Sequence, residues 1–148
     1  AMRLIDMGAA PYVAASALRA IIAQRLVRKI CENCKTEFHP DPQQRAWLMA
    51  IGGHQFIDQA HYFHGRGCHQ CNNTGYKGRL GVYELLELEE ATTDALRRND
   101  PGAFAQAARA SGFKTLAACA LDYATQGLTS LDEVFRVAAE LEKIGEEI

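Results

Sequence analysis

The stretch CHQCNNTGYKGRLGVYELL, residues 68–86, decides how this chain of 148 residues is expected to fold. It opens with the Cys-x-x-Cys pair Cys68 and Cys71, and a second such pair, Cys31 and Cys34, lies upstream with 33 residues between the two pairs. Two residues between thiols allow a tight turn to aim both sulfurs at one point, so two such turns supply the four ligands of a tetrahedral zinc site. Four thiolates leave no coordination position open to water. The sequence therefore predicts a structural zinc ion rather than a catalytic one.

Three other uses of the four cysteines stay open from the residues alone. Two disulfides are typical of an oxidising compartment. A redox-active Cys-x-x-Cys pair belongs in a thioredoxin-like βαβ setting, which the sequence lacks. An iron–sulfur cluster also takes four cysteines. The two symmetric pairs beside glycine and asparagine turns favour zinc over these alternatives.

The fifth cysteine and the five histidines are interpreted as non-ligating residues. Cys119 is predicted to be a buried, inert thiol on the inner side of a helix. His69, inside the second cysteine pair, is predicted to be a solvent-facing turn residue because four thiolates already complete a zinc site. The other histidines have no ligand spacing with an acidic partner and are predicted to be loop or surface residues (His39, His54, His61 and His64).

Composition and charge narrow the class of protein. Hydrophobic residues make up 48% of the chain and charged residues 23%, which is typical of a globular protein. The net charge of −2 divides into a mildly basic stretch over residues 25–81 and an acidic one over residues 82–148. The basic excess is too small for a nucleic-acid-binding face, so no nucleic-acid partner is expected. No apolar run approaches the ~20 residues of a membrane span and no signal peptide is recognisable, so a cytoplasmic location is expected.

The residue pattern predicts an α+β fold that is mostly helical. Residues 23–30 and 79–88 are predicted strands, and a zinc ion shared by the two cysteine pairs would place them side by side as an antiparallel pair. The rest of residues 31–78 is predicted to form loops and turns, apart from one short helix with Trp47 and Leu48 facing inward. The predicted helices span residues 11–22, 42–49, 91–98, 101–111 and 115–126, and a last one begins at 129–130.

Two local expectations follow from this pattern. In the last helix, Ser130 followed by Glu133 predicts a capping box, in which hydroxyl and carboxylate each accept a hydrogen bond from a free backbone amide. Because all four predicted ligands fall in residues 31–78, chelation is predicted to unfold that segment and to leave the C-terminal helices folded.

Motifs of common catalytic sites are missing from the sequence. The chain contains no G-x-x-x-x-G-K-[ST], no G-x-G-x-x-G opening a helix, no G-x-S-x-G and no H-E-x-x-H. By its own motifs, the chain is not expected to be an enzyme.

Several motifs, in order, resemble one family. Residues 68–86 are similar to the C-x-x-C-x-x-T-G-Y-[KR]-G-R-x-G-[IV]-[YF]-E-L-L segment of the hexameric ATPases of type II secretion and type IV pilus assembly. Within that family the chain is most similar to the ATPases of mannose-sensitive haemagglutinin (MSHA) pili. Four further stretches match family motifs, namely RLIDMG at 3–8, AQRLVR at 23–28, GFKTL at 112–116 and GLTSLDEV at 127–134.

The resemblance implies a particular organisation. Residues 1–30 would be the C-terminal edge of a RecA-like ATPase domain, 31–78 an inserted tetracysteine zinc module, 79–90 a returning strand, and 91–148 a helical subdomain of about four helices. The Walker A and B motifs that bind ATP and Mg²⁺ would lie upstream, so this fragment alone would not hydrolyse ATP. The long insert between the cysteine pairs departs from the family pattern.

The resemblance also implies site residues and partners. Arg79 matches an arginine beside the base of the nucleotide, and Arg3 matches one that couples the site to the neighbouring subunit; the alternative is that both form surface ion pairs. The parent would be a homo-hexamer, attached peripherally to the inner membrane through platform and assembly proteins. The alternatives of another class are a free-standing zinc-ribbon nucleic-acid-binding module and a chaperone-type zinc module.

Overall fold

The structure, a computed structural model, describes residues 1–52 and 60–146, with the side chains of residues 51–52 and 140–146 left out. The chain divides into two compact units. The first unit comprises Ala1–Ala23 and Tyr83–Thr115, and the second comprises Gln24–Val82 and Leu116–Ile148.

The described residues form an α+β fold, as the sequence predicts. The strands are β1 (Ala20–Ile30), β2 (Lys35–Phe38), β3 (Tyr62–Gly65) and β4 (Tyr76–Glu87). The helices are α1 (Met2–Asp6), α2 (Pro11–Ala17), α3 (Pro42–Gly52), α4 (Glu90–Arg97), α5 (Pro101–Ala110), α6 (Leu116–Thr125) and α7 (Leu131–Glu146). A single 3-10 turn spans His69–Cys71.

β1 and β4 form a two-stranded antiparallel ribbon, which confirms the predicted strand pair. At one end the Cys31 amide donates to the Gly75 carbonyl oxygen at 2.9 Å, and at the other the Leu88 amide donates to the Arg19 carbonyl oxygen at 2.9 Å. Between these two bonds, β4 contains one more residue than β1. Gly78 accounts for the extra residue as a bulge, because its φ of +87° is the left-handed value that a glycine takes in such bulges.

The prediction of a helix over residues 11–22 is wrong in its second half. α2 ends at Ala17, and Leu18 is already extended, with φ −71° and ψ 131°. The next residue, Arg19, bonds to Leu88 through its carbonyl oxygen. The β-branched pair Ile21 and Ile22 fits a pleated strand better than a helix, and pairing with β4 decides the competition.

The first unit is organised around small residues of α2. Ala14 and Ala15 are buried against Leu96 of α4, with partly buried residues from α1, α5 and the ends of the ribbon around them. Their small side chains allow the two helix backbones to approach closely. α5 begins where Asp100 accepts a hydrogen bond from the Ala103 amide at 2.9 Å, with Pro101 in the first turn.

The second unit contains a further strand pair that the sequence analysis missed. β2 and β3 pair antiparallel, with Lys35 opposite Gly65 and Phe38 opposite Tyr62. The predicted short helix is confirmed as α3, where Leu48 is fully buried and the Trp47 ring meets the Phe135 ring of α7 edge-on at 4.6 Å. α6 and α7 pack together and bury a row of apolar residues (Leu116, Ala120, Leu121, Ala124, Leu131, Val134 and Val137).

The predicted capping box is wrong. The Ser130 hydroxyl pairs with the Tyr76 hydroxyl at 2.6 Å, and the Glu133 carboxylate accepts from the Arg28 amide at 2.7 Å. The free edge of β1 offers unpaired amides and carbonyls, and the carboxylate satisfies one of them. The Thr129 hydroxyl donates to the Arg28 carbonyl oxygen at 2.7 Å and so satisfies a carbonyl group on the same strand edge. Long-range bonding to the strand therefore replaces the local cap.

Candidate metal centre

Strand pairing brings the two cysteine pairs together. Cys31 and Cys34 lie in the loop from β1 to β2, and Cys68 and Cys71 lie in the loop from β3 to β4. Because β1 pairs with β4 and β2 pairs with β3, both loops emerge at the same place in the second unit. The fold thus positions all four thiols from two ordinary strand pairs.

The four sulfurs have the spacing of a tetrahedral site. The Sγ atoms are 3.8 Å apart for Cys31 and Cys68, 3.8 Å for Cys34 and Cys71, and 3.7 Å for Cys68 and Cys71, and all four lie within 4.8 Å of one another. Metal–sulfur bonds of about 2.3 Å in a tetrahedron place the sulfurs about 3.8 Å apart. The four close cysteines could therefore hold one metal ion such as zinc. All are free thiols, and their separations far exceed the ~2.05 Å of a disulfide.

Backbone and amide N–H groups point at the sulfurs. The amides of Cys68 and Gly75 donate to Cys71 Sγ at 3.2 and 3.3 Å, and the Asn33 side-chain amide donates to Cys68 Sγ at 3.3 Å. The turn that makes this possible passes through Asn72 and Asn73 with φ of 51° and 61°, values that asparagine tolerates better than most residues. Donors of this kind stabilise thiolates, which are the metal-binding form of cysteine.

The surroundings shift the pKa values of the cysteine thiols in different directions. The hydrogen bond from Asn33 lowers the pKa of Cys68 to about 6. Burial raises the pKa of Cys71, but the amides of Cys68 and Gly75 outweigh it, and the net pKa lies below its usual value. Burial raises the pKa of Cys34 to about 12. A bound cation would deprotonate all four, since coordination overrides such differences.

Two glycines allow the metal loops to close. A Cβ on Gly65 would overlap the Gly75 carbonyl oxygen, and a Cβ on Gly75 would overlap the Gly65 carbonyl oxygen. Gly75 also has φ of +78°, which strains any residue with a side chain. Beside this contact the Arg66 amide donates to the Cys34 carbonyl oxygen at 3.1 Å. The two glycines thus close the base of the loop that contains Cys68 and Cys71, and the Arg66–Cys34 bond joins this loop to the one that contains Cys31 and Cys34.

Replacing Gly65 with alanine is expected to destabilise the second unit by about 1–3 kcal/mol, because backbone atoms, which cannot rotate away, receive the added methyl group. Urea unfolding followed by circular dichroism measures the change. Gly102→Ala is the matched control: its Cβ would meet only the Asp100 side chain, at an ordinary 3.5 Å, so stability should hold or rise. Equal effects of the two substitutions would contradict the argument.

The arginines predicted at a nucleotide or subunit interface do not belong to the cysteine cluster. Arg79 follows the Gly78 bulge in β4, in the second unit, and Arg3 lies on α1, in the first. Both side chains are exposed, and among the described residues neither has an ion-pair partner. Their roles stay predictions.

The predictions for the histidines and for Cys119 agree with the structure only in part. His69 and His39 are exposed, as predicted, and His54 lies outside the described residues. His61 is also exposed but does have an acidic partner, the Glu37 carboxylate at 2.9 Å. Cys119 is half-buried rather than fully buried on α6.

None of the helices in the described part of the chain combines the length and hydrophobicity needed to cross a lipid bilayer.

Comparison with known proteins assigns the family. The family model described as "Type II/IV secretion system protein" matches residues 1–136. The type IV pilus assembly ATPase PilB of Thermus thermophilus is 39% identical over 134 residues, which are 89% of this chain and 15% of that protein. The type II secretion system protein E of Aeromonas hydrophila is 35% identical over 93% of this chain and 27% of its own length. PilB of Pseudomonas aeruginosa is 38% identical over 93% of this chain and 24% of its own length.

This chain thus spans about a quarter or less of the curated relatives that it matches. The matched residues include the four-cysteine cluster and both strand pairs. The chain therefore belongs to the type II/IV secretion system protein family.

Proposed function

We propose that this chain is the C-terminal zinc-binding part of a hexameric ATPase that powers type IV pilus assembly or type II secretion. The four-cysteine cluster carries the proposal, because its sulfur spacing suits one tetrahedral ion and it lies within the family match. The names of the relatives support the motor role. The finer assignment to an MSHA pilus rests on motif resemblance and stays a prediction.

The zinc ion would have a structural role. Cys31, Cys34, Cys68 and Cys71 would all bind it, leaving no position for water or substrate. Bound zinc would tie the end of β1 to the start of β4, because the two cysteine pairs flank those strand ends. The chain's own contribution is to orient the thiols with Asn33 and the backbone amides.

Arg79 would act on the nucleotide of the parent ATPase. It is exposed and directly follows the Gly78 bulge, a feature that often redirects a side chain beside a functional site. Its planar, permanently charged guanidinium can stack on a base or pair with phosphate oxygens. Arg3, exposed on α1, would contribute to the subunit interface. ATP and Mg²⁺, the other subunits of the hexamer and inner-membrane platform proteins would be bound by the whole parent.

Arg79→Ala in the complete protein that contains this segment is expected to raise KM for ATP about tenfold, with a smaller change in kcat. A contact made equally to substrate and transition state affects binding alone. Steady-state ATP hydrolysis by the purified protein measures both constants. Arg45→Ala, an exposed arginine on α3, is the control and should leave both unchanged.

Three results would contradict parts of the proposal. Unchanged KM and kcat in the Arg79 variant would remove the arginine from the nucleotide site. Tight, steeply salt-dependent binding of mixed DNA or RNA by this chain would favour the nucleic-acid-binding alternative. ATP hydrolysis by this chain alone would contradict the view that the catalytic motifs lie elsewhere in the parent.

A further inference from the structure

A cavity of about 250 Å³ lies beside the four-cysteine centre in the second unit. One lysine from each strand of the ribbon lines it, Lys29 from β1 and Lys77 from β4, together with Cys31. Glu32, Asn33 and Gln70, from the two cysteine loops, are the other polar residues that line it. Two lysines therefore line the same cavity as a predicted zinc ligand.

The two lysines face each other across the ribbon. The hydrogen bond from Cys31 to Gly75 sets those residues opposite each other, and each lysine lies two residues further along its strand. Like charges directly opposite in a strand pair ordinarily destabilise it. The Glu32 carboxylate lies 3.5 Å from Lys29, but its side chain is 63% exposed. Water screens such a surface pair, so it offsets the repulsion between the lysines only a little. Lys77 has no ion-pair partner among the residues that the structure describes.

The metal centre supplies the missing negative charge. A zinc ion with four thiolates carries a formal charge of −2, and Cys31, Cys34 and Cys71 are all buried. A buried net charge is costly unless groups of opposite charge or hydrogen-bond donors compensate it. The N–H groups aimed at Cys68 and Cys71 are neutral dipoles. They stabilise the thiolates by hydrogen bonding, but they do not balance the formal charge of −2.

We propose that Lys29 and Lys77 are the charge partners of the zinc–thiolate centre and raise its affinity for zinc. This inference rests on the zinc site of the proposed function. The arrangement also argues against a phosphate-type anion in the cavity, since such an anion would lie beside a centre of its own sign. In this proposal, the negative charge of the zinc–thiolate centre offsets the repulsion between the two lysines.

The test is zinc affinity, measured on this chain by competition with a chelator of known affinity. The double variant Lys29→Met and Lys77→Met keeps the apolar stems and removes the charges; it is expected to raise the zinc dissociation constant about tenfold or more, the range for outer groups around a metal site. The double variant Lys29→Arg and Lys77→Arg keeps the charges and should stay within about threefold of the parent. Arg45→Met, the same loss of charge on α3, should have no effect.

Salt provides a second readout that a purely structural role would not change. The difference between the parent and the methionine variant is expected to shrink as ionic strength rises from about 0.05 to 0.5 M, because screening shortens the reach of the charges. An unchanged dissociation constant in the methionine variant, or equal harm from methionine and arginine, would overturn the inference while leaving the zinc site intact. Failure of the parent chain to bind one zinc ion would overturn the zinc site as well.

Discussion

Replacing Cys68 with serine is expected to abolish binding of one zinc ion per chain and to unfold the second unit. The reason is the scale of structural zinc binding, about 10–16 kcal/mol in zinc-finger peptides, compared with about 5–15 kcal/mol for the whole stability of a typical domain. Elemental analysis by mass spectrometry measures the zinc content, and hydrogen exchange measures which segments lose protection.

Hydrogen exchange should also show which segments unfold when zinc is lost, and the sequence and the structure lead to different expectations for this. The sequence predicts that only residues 31–78 unfold on loss of zinc. The structure extends this to α6 and α7, because Tyr76 bonds to Ser130 and Arg28 bonds to Glu133, across the second unit. The buried contact of Ala14 and Ala15 with Leu96 lies wholly in the first unit and should stay protected.

Cys119→Ser is the matched control, since Cys119 is a half-buried thiol on α6 outside the cysteine cluster. It should keep one zinc ion and normal protection. Zinc retained by the Cys68 variant would refute the ligand assignment. Simultaneous loss of protection in α4 and α5 would show that the two units unfold together.

The sequence specified those parts of the molecule that depend on local chemistry. The two Cys-x-x-Cys pairs predicted the cluster, because a two-residue spacing brings the two sulfurs of each pair together locally. The strand pair followed from the same argument, since a shared ion would place the flanking segments together. The predicted helix over residues 101–111 agrees with α5 to within one residue, because Pro101 in the first turn and Gly112 beyond the last are each favoured there by their own backbone.

Other parts depend on contacts that no local pattern encodes. Ser130 and Glu133 have the spacing of a capping box, yet the carboxylate bonds to Arg28, 105 residues away in sequence. The pair β2–β3 is only four residues per strand and contains the charged residues Lys35 and Glu37, so alternation gave no signal. Lys29 and Lys77 became candidates for a site only once strand register set them opposite each other.

Glu133 binds two arginines and a backbone amide in the second unit. Its Oε1 accepts from Arg28 Nε at 3.0 Å and Nη2 at 2.9 Å, and its Oε2 accepts from the Arg28 amide at 2.7 Å and Arg136 Nη2 at 2.9 Å. The residue is 0% exposed. The Arg28 guanidinium also lies 4.0 Å above the Tyr76 ring, which holds it in place. The carboxylate thus joins α7 to β1, and the stacking of Arg28 on Tyr76 extends the contact to β4.

Ionisation of Glu133 sets the pH range over which this contact stabilises the fold. Burial alone would raise the pKa, but Arg136 and Arg28 outweigh it and hold the pKa of Glu133 at about 2, below the ordinary 4.5. A carboxyl whose pKa is lower in the folded state stabilises that state above the unfolded pKa. The stabilisation is lost as pH falls from about 4.5 toward 2.

Glu133→Gln is expected to destabilise the second unit by about 1.5–3 kcal/mol at pH 7, the range for hydrogen bonds to a charged group, because it removes the buried charge that Arg28 and Arg136 share while both guanidinium groups stay partly hydrated. Urea unfolding of the zinc-loaded parent and variant measures the difference, and Asp132→Asn, an exposed neighbour on α7, should change stability little. Between about pH 8 and 5 the difference should stay constant, since the pKa of Glu133 lies well below that range. A difference that already shrinks between pH 7 and 5 would mean that burial, not the arginines, sets the ionisation of Glu133, and the carboxylate would then not be the contact that holds α7 to β1.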